Sequence, residues 1–269
     1  MATKNCTFKL LEPEIKSIVL GYLKQKKQLS KNSIIINEFT LDKYTRRVDL
    51  ATLHNKRLFA FEIKSEADSL SRLEGQIKKY LEYFDKVTVV CAPKHTKKAI
   101  ELVPPNVAVW EIVDKRIIVK QRGKIVPVRE HNSFINLMRA SELVKLSRQQ
   151  NISINSTHRA VLEKKLQNTA VHVLKKFALD SICQRYKTTS QAFWQATESN
   201  KAINAKHLGL LSPFLRERRQ INAEREQNES FWNNWKNKAE DTHLMTLANG
   251  SKEKIFGRIP TEVKKLFHP

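Results

Sequence analysis

The sequence predicts an α/β protein followed by a mainly α-helical region. Short β-branched and aromatic runs recur through the first 121 residues, each the length of a strand. Between them lie segments whose apolar residues are spaced three and four apart, the period of a helix. From residue 122 onward few strand-like runs appear and the spacing turns helical. The expected division is an α/β domain over 1–121 and a basic helical domain over 122–269, with a boundary that rests on composition alone.

Residues 11–27 read as the first helix. Pro13 suits its opening turn, and Ile15, Ile18, Val19, Tyr22 and Leu23 form an apolar stripe. Ser33–Leu41 is a β-branched run and a first strand. Glu38 interrupts it, placed to pair with Arg46 or Arg47 or to face a bound ion. Arg47–Leu53 and Leu58–Lys64 form a hairpin about the polar turn His54-Asn55-Lys56. Asp68–Phe84 reads as a helix with Asp68 or Ser69 as its N-cap. Its buried face is Leu70, Leu73, Ile77, Tyr80, Leu81 and Phe84. Lys86–Ala92 is almost wholly apolar, as expected of a strand covered on both faces. Lys94–Leu102 is a short helix stopped by Pro104-Pro105, and Val107–Ile112 and Arg116–Lys120 are two more strands. The helical region carries predicted helices at Ser133–Gln149, His158–Gln167, Ala170–Tyr186, Ser190–Ile203 and from Phe214 to about Ala239. Trp232 and Trp235 in the last of these suit packing anchors or base-stacking platforms. Ser141–Leu166 also admits a helix-turn-helix reading.

Chemistry concentrates between Arg46 and Tyr80. Side chains alternate along a strand, so Glu62 and Lys64 share a face with Ala60, and Asp49 shares one with Arg47 and Ala51. Val48 and Leu50 are expected on the opposite face. Pairing of the two runs brings Asp49, Glu62 and Lys64 to one edge of the sheet. Two carboxylates beside apolar strands call for a cation, and a divalent metal ion would satisfy them.

Asp49, followed thirteen residues later by Glu62-Ile63-Lys64 at the end of an apolar strand, resembles the PD-(D/E)XK nuclease superfamily. Gln76-Ile77-Lys78-Lys79-Tyr80 resembles the QxxxY motif of its RecB-like branch, and Gln76 and Tyr80 lie on one helical face. Val48 stands where the superfamily's name places proline. The resemblance covers about residues 10–120 and extends to the Holliday-junction-resolvase-like branch of small bacterial nucleases. It implies a restriction-endonuclease-like mixed sheet between helices, in the order α-β-β-β-α-β-α-β. It further implies Mg²⁺ (or Mn²⁺) held by Asp49 and Glu62, with the Ile63 carbonyl and Glu14 as further ligands. Gln76 and Tyr80 complete the catalytic set with Asp49, Glu62 and Lys64. Acids in a first helical turn also favour the helix dipole whatever the function, so Glu14 carries two readings. Glu12 is its understudy.

Composition narrows the partners. The formal net charge is +22 and the pI about 10.0, far beyond what solubility needs, which favours a polyanion such as DNA. Arg46, Arg47, Lys78 and Lys79 are the candidate DNA contacts around the site. Arg47 serves equally well as an ordinary exposed strand residue. No apolar run reaches 18 residues, and the N-terminus lacks a signal-peptide layout, so a cytoplasmic protein without a membrane span is expected. Cys6, Cys91 and Cys183 are odd in number and far apart, which suits neither a disulfide framework nor a zinc site. No phosphate-cradling GxxxxGK[ST] loop occurs, which argues against a nucleotide-driven motor.

The function expected is a Mg²⁺-dependent deoxyribonuclease, an endonuclease acting on double-stranded or branched DNA in defence, recombination or repair. Two alternatives stand beside it. One is a catalytically idle nucleic-acid-binding protein of the same fold; the other is a protein-interaction scaffold working through the helical region. A homodimer and a protein partner are both left open.

Overall fold

The computed structural model describes residues 10–41, 46–198 and 202–212. The chain divides into two units, Met1–Leu215 and Arg216–Pro269. The second unit, the helix expected from Phe214 and both Trp232 and Trp235 lie outside the described residues.

Six strands form one mixed sheet in chain order: β1 (Ile34–Leu41), β2 (Arg46–His54), β3 (Arg57–Lys64), β4 (Lys86–Cys91), β5 (Ala108–Val113) and β6 (Arg116–Gln121). β1, β2 and β3 run antiparallel, β3, β4 and β5 parallel, and β6 antiparallel to β5. The β2–β3 turn sets Asn55 and Lys56 at φ 48° and 59°, and the β5–β6 turn repeats this at Asp114 and Lys115, with φ 48° and 61°. Positive φ at both central residues matches the twist of the strands they join. The parallel crossovers carry α2 (Leu73–Tyr80) and α3 (Pro93–Leu102), while α1 (Glu12–Gln25) precedes the sheet. The α/β class expected from sequence holds, with helices on both faces of the sheet.

Both faces are apolar, as near-continuous apolar strands require. On one, Leu58, Ala60, Val87, Val89 and Val109 pack with Leu73, Ile77 and Tyr80 of α2. On the other, Phe61, Ile63, Val90 and Trp110 pack with Ile15, Val19, Leu20 and Leu23 of α1.

The helical region is α4 (His131–Leu137), α5 (Ala140–Gln149), α6 (Arg159–Leu166), α7 (Val171–Ala196) and the short α8 (Ala205–Leu208). Its apolar side belongs to the same core as the sheet: Phe134, Leu143, Leu162, Leu174 and Ile182 join the cluster of Ala60 and Val89. Residue 121 is therefore no boundary between packing units. Composition changes there because the element type changes. Asp85 reinforces the join, since its carboxylate accepts from Leu58 N–H at 2.8 Å, Val128 N–H at 3.2 Å and Lys175 Nζ at 3.3 Å.

Helix boundaries differ from expectation at three places. Ser133–Gln149 is two helices, broken at Met138 and Arg139, both extended. Arg159 satisfies the freed carbonyls, donating to Met138 O at 2.7 Å and Ile135 O at 3.1 Å. The helices expected at Ala170–Tyr186 and Ser190–Ile203 are one, because buried Ser190 continues α7 as a polar contact to the sheet. Its Oγ accepts from Ile35 N–H at 3.0 Å and donates to Ile35 O at 3.2 Å, while Trp194 Nε1 donates to Ser33 O at 2.9 Å. These bonds cover the outer edge of β1, which an edge strand otherwise leaves open. Finally, α2 starts at Leu73 rather than at Asp68. Asp68 closes the turn after β3 instead, accepting from Ser65 N–H at 2.8 Å and Ser65 Oγ at 2.6 Å.

Candidate active site

The sheet forks where β2 leaves β3. Pairing runs from His54↔Arg57 to Leu50↔Phe61 and stops. One step further, opposite Glu62, the Asp49 side chain replaces the backbone acceptor: its Oδ2 takes the Ile63 N–H at 2.7 Å. Strict alternation ends at this point. Val48 joins the cluster that holds Ala51 and Leu50 joins the other, so Val48 and Leu50 do not share a face as expected. The strand rotates about Asp49 and turns its carboxylate toward the fork.

β3 keeps its alternation, and Glu62 and Lys64 face α2. Glu62 is 1% exposed and both its oxygens are engaged. Lys64 Nζ donates to Oε1 at 2.7 Å, and the Tyr80 hydroxyl donates to Oε2 at 2.9 Å. Lys64 also donates to Gln76 Oε1 at 3.1 Å, so the QxxxY face of α2 meets the strand. Burial first, then the charge of Glu62, holds the Tyr80 phenol far above its ordinary range and keeps it a donor. Asp49 is pushed up to about 7 by burial first and by the neighbouring Glu62 charge second. Asp49, Glu62, Lys64, Gln76 and Tyr80 thus come together.

The remaining candidates divide. N–H and C=O of one strand residue point to the same edge, so the Ile63 carbonyl opens toward Asp49. Glu14 points elsewhere: its Oε2 accepts Leu11 N–H at 2.8 Å and caps α1. Glu12 is the acid of α1 whose charge bears on Asp49, against the order of preference expected. Arg47 pairs with Glu38 at 3.0 Å beside the fork. Arg46 and Lys78 are exposed. Lys79 is drawn to Glu82 at 2.9 Å and over the Tyr83 ring, held by the turn that follows α2.

Sequence reasoning missed Lys16 and Asn37. Lys16 is 2% exposed, and its Nζ lies 2.5 Å from Glu12 Oε1 and 2.9 Å from Asn37 Oδ1. The available signal was a lysine one turn after Glu12, interrupting the buried side of α1.

Two carboxylates and a backbone carbonyl are hard oxygen donors, a set that suits Mg²⁺ retaining several waters. Among the described residues, no group of three or more His, Cys, Asp or Glu side chains is placed to hold a metal ion. An open, partly hydrated ion needs none.

Comparison with known proteins finds a match to the family described as Bacteriophage P4 protein cII, over residues 6–212. Protein cII of Enterobacteria phage P4 is 36% identical over 212 residues, covering 77% of this chain and 80% of the relative. Among solved structures, a protein of unknown function from Silicibacter pomeroyi aligns with 54% of this chain and 97% of its own, at 15% identity and a TM-score of 0.34.

Proposed function

The chain belongs to the bacteriophage P4 protein cII family, and for it we propose Mg²⁺-dependent hydrolysis of DNA phosphodiesters in the manner of PD-(D/E)XK nucleases. The observation that carries this reading is Glu62: a buried carboxylate, opposite Asp49, with both oxygens fixed by Lys64 and Tyr80. A buried acid pair of this kind is a costly arrangement for a merely structural strand. The Asp49 carboxyl beside it, raised by burial and by the Glu62 charge, is of the kind that clusters at functional sites.

Asp49, Glu62 and the Ile63 carbonyl would hold the ion, which when bound supplies Lewis acidity and lowers the pKa of a water. The protein's own groups do the rest. Lys64 commits two of its three N–H donors, to Glu62 and Gln76, and the third is left to orient the attacking water against phosphorus. As the water oxygen bonds to phosphorus and gives up a proton to solvent, the bond to the departing sugar oxygen breaks and that oxygen takes a proton from solvent. The Lys64 charge offsets the negative charge gathering on the phosphoryl oxygens. Tyr80 and Gln76 fix Glu62 and Lys64 so that neither rotates away. The net charge of +22 supports DNA as partner through phosphate contacts, in the cytoplasm. Among the described residues, no helix is long and apolar enough to cross a membrane.

The test is cleavage of linear, nicked, single-stranded and branched DNA with Mg²⁺, with Mn²⁺ and with chelator. Metal-dependent cleavage lost on chelation supports the reading. Tight DNA binding with no cleavage of any form would leave a binding protein built on the same fold.

A further inference from the structure

Lys16 is a buried charge beside the site that this mechanism does not use. α1 presents Glu12 and Lys16 one turn apart to the fork. The Lys16 ammonium lies 2.5 Å from Glu12 Oε1, 2.9 Å from Asn37 Oδ1 and 3.9 Å from Glu38 Oε1. Glu38 takes a φ of 59° inside β1, between the pairs Asn37↔Leu50 and Phe39↔Val48, and so opposite Asp49. A left-handed glutamate in a strand is strained, and here the strain turns a carboxylate toward Lys16 and Arg47. Glu12 and Lys16 both act electrostatically on Asp49, in opposite senses. Lysine is almost never fully buried unless paired, and this one is enclosed by oxygen donors.

Oxygens of carboxylate and amide type are also what a hard divalent ion takes as ligands. We propose that the Lys16 ammonium, set among Glu12, Asn37 and Glu38 beside Asp49, is a built-in cation that occupies a second metal position. The site then takes one divalent ion, on the Asp49–Glu62 side. Like charges a few ångströms apart repel strongly in a partly buried site, so a second ion cannot enter while Lys16 stays. This rests on the metal-dependent reading given above. If Lys16 only tied α1 to β1, removing its charge would loosen that contact without changing how many ions bind.

The full-length chain is titrated with Mn²⁺ alone, and bound ions are counted by electron paramagnetic resonance. Wild type binds one ion per chain, as does Lys16→Arg, which keeps the charge. Lys16→Gln binds two, and Glu12→Gln combined with Lys16→Gln returns the count to one. One ion in Lys16→Gln, shown folded by circular dichroism, overturns the inference. So does a count of two in wild type, which needs no variant to fold. A wild-type count of zero, unchanged in Asp49→Asn, overturns the metal reading itself and this inference with it.

Discussion

Tyr80 donates to Glu62 Oε2 at 2.9 Å from a ring with no solvent exposure, on the side of the carboxylate away from Lys64. The hydroxyl therefore fixes the acid from the buried side. Tyr80→Phe leaves the ring packed and strips Glu62 Oε2, and the Arg47 carbonyl 3.0 Å from the same hydroxyl, of their shared donor, at about 1–3 kcal/mol of stability. Mn²⁺ affinity and cleavage should each fall by roughly 10–100-fold, the usual effect of losing a group that orients a ligand. Unchanged Mn²⁺ affinity would show that Tyr80 does not position Glu62.

Asp49→Asn, Glu62→Gln and Lys64→Met should each reduce Mg²⁺-dependent cleavage by about 10²–10³-fold or more. DNA affinity should persist, because the proposed phosphate contacts use charges elsewhere on the surface. Plasmid cleavage and gel-shift titration separate the two effects. Cleavage at the wild-type rate in any of the three rejects the site.

Asp49 sets a pH dependence with a definite sign. Its pKa rises from 3.8 to about 7 on folding, so between those values the native state holds a proton that the unfolded chain has released. Without divalent ion, stability should fall as pH rises through that window. Urea unfolding at pH 5 and pH 8 should show this loss in wild type and a smaller one in Asp49→Asn. Mn²⁺ should reverse the loss, binding more tightly as pH rises toward 7.

DNA affinity should drop steeply between 50 and 200 mM salt, by about 10³-fold or more if six or more phosphates are contacted. Filter binding over that range gives the slope. A flat response would mean that the +22 charge serves another partner.

Ser190→Ala should destabilise the protein by about 1–3 kcal/mol although no apolar packing is lost. The Ile35 N–H and C=O would both lose their partner at a buried edge. Urea titration measures the change. A shift below about 0.3 kcal/mol would mean water replaces the hydroxyl.

Much of the sheet could be read from sequence because its strands are apolar and their hairpin turns polar, as at Asn55-Lys56. Asp49, Glu62, Lys64, Gln76 and Tyr80 could be grouped because strand and helix periods bring them to one place once the hairpin is assumed. Other features depend on tertiary contacts that no local pattern carries. Glu14 and Glu12 are both first-turn acids, and only the orientation of α1 decides that one caps the helix while the other faces the fork. Lys16 reads as a surface charge until its three oxygen partners arrive from Glu12 and β1. Ser190 breaks an apolar stripe, and its polarity is explained only by an edge strand 155 positions earlier. The boundary placed at residue 121 failed for a related reason: a helical composition does not reveal what the helices cover.

Ser190 and Trp194 also set a timetable. Ile35 leaves the ribosome 155 residues before the serine that covers it. At 5–20 residues per second, that is roughly 8–30 s of translation with the strand's outer side open to other chains. A ribosome stalled within this interval would hold a strand ready to pair with any nascent neighbour, so chaperone demand should peak before α7 emerges and vanish once it docks.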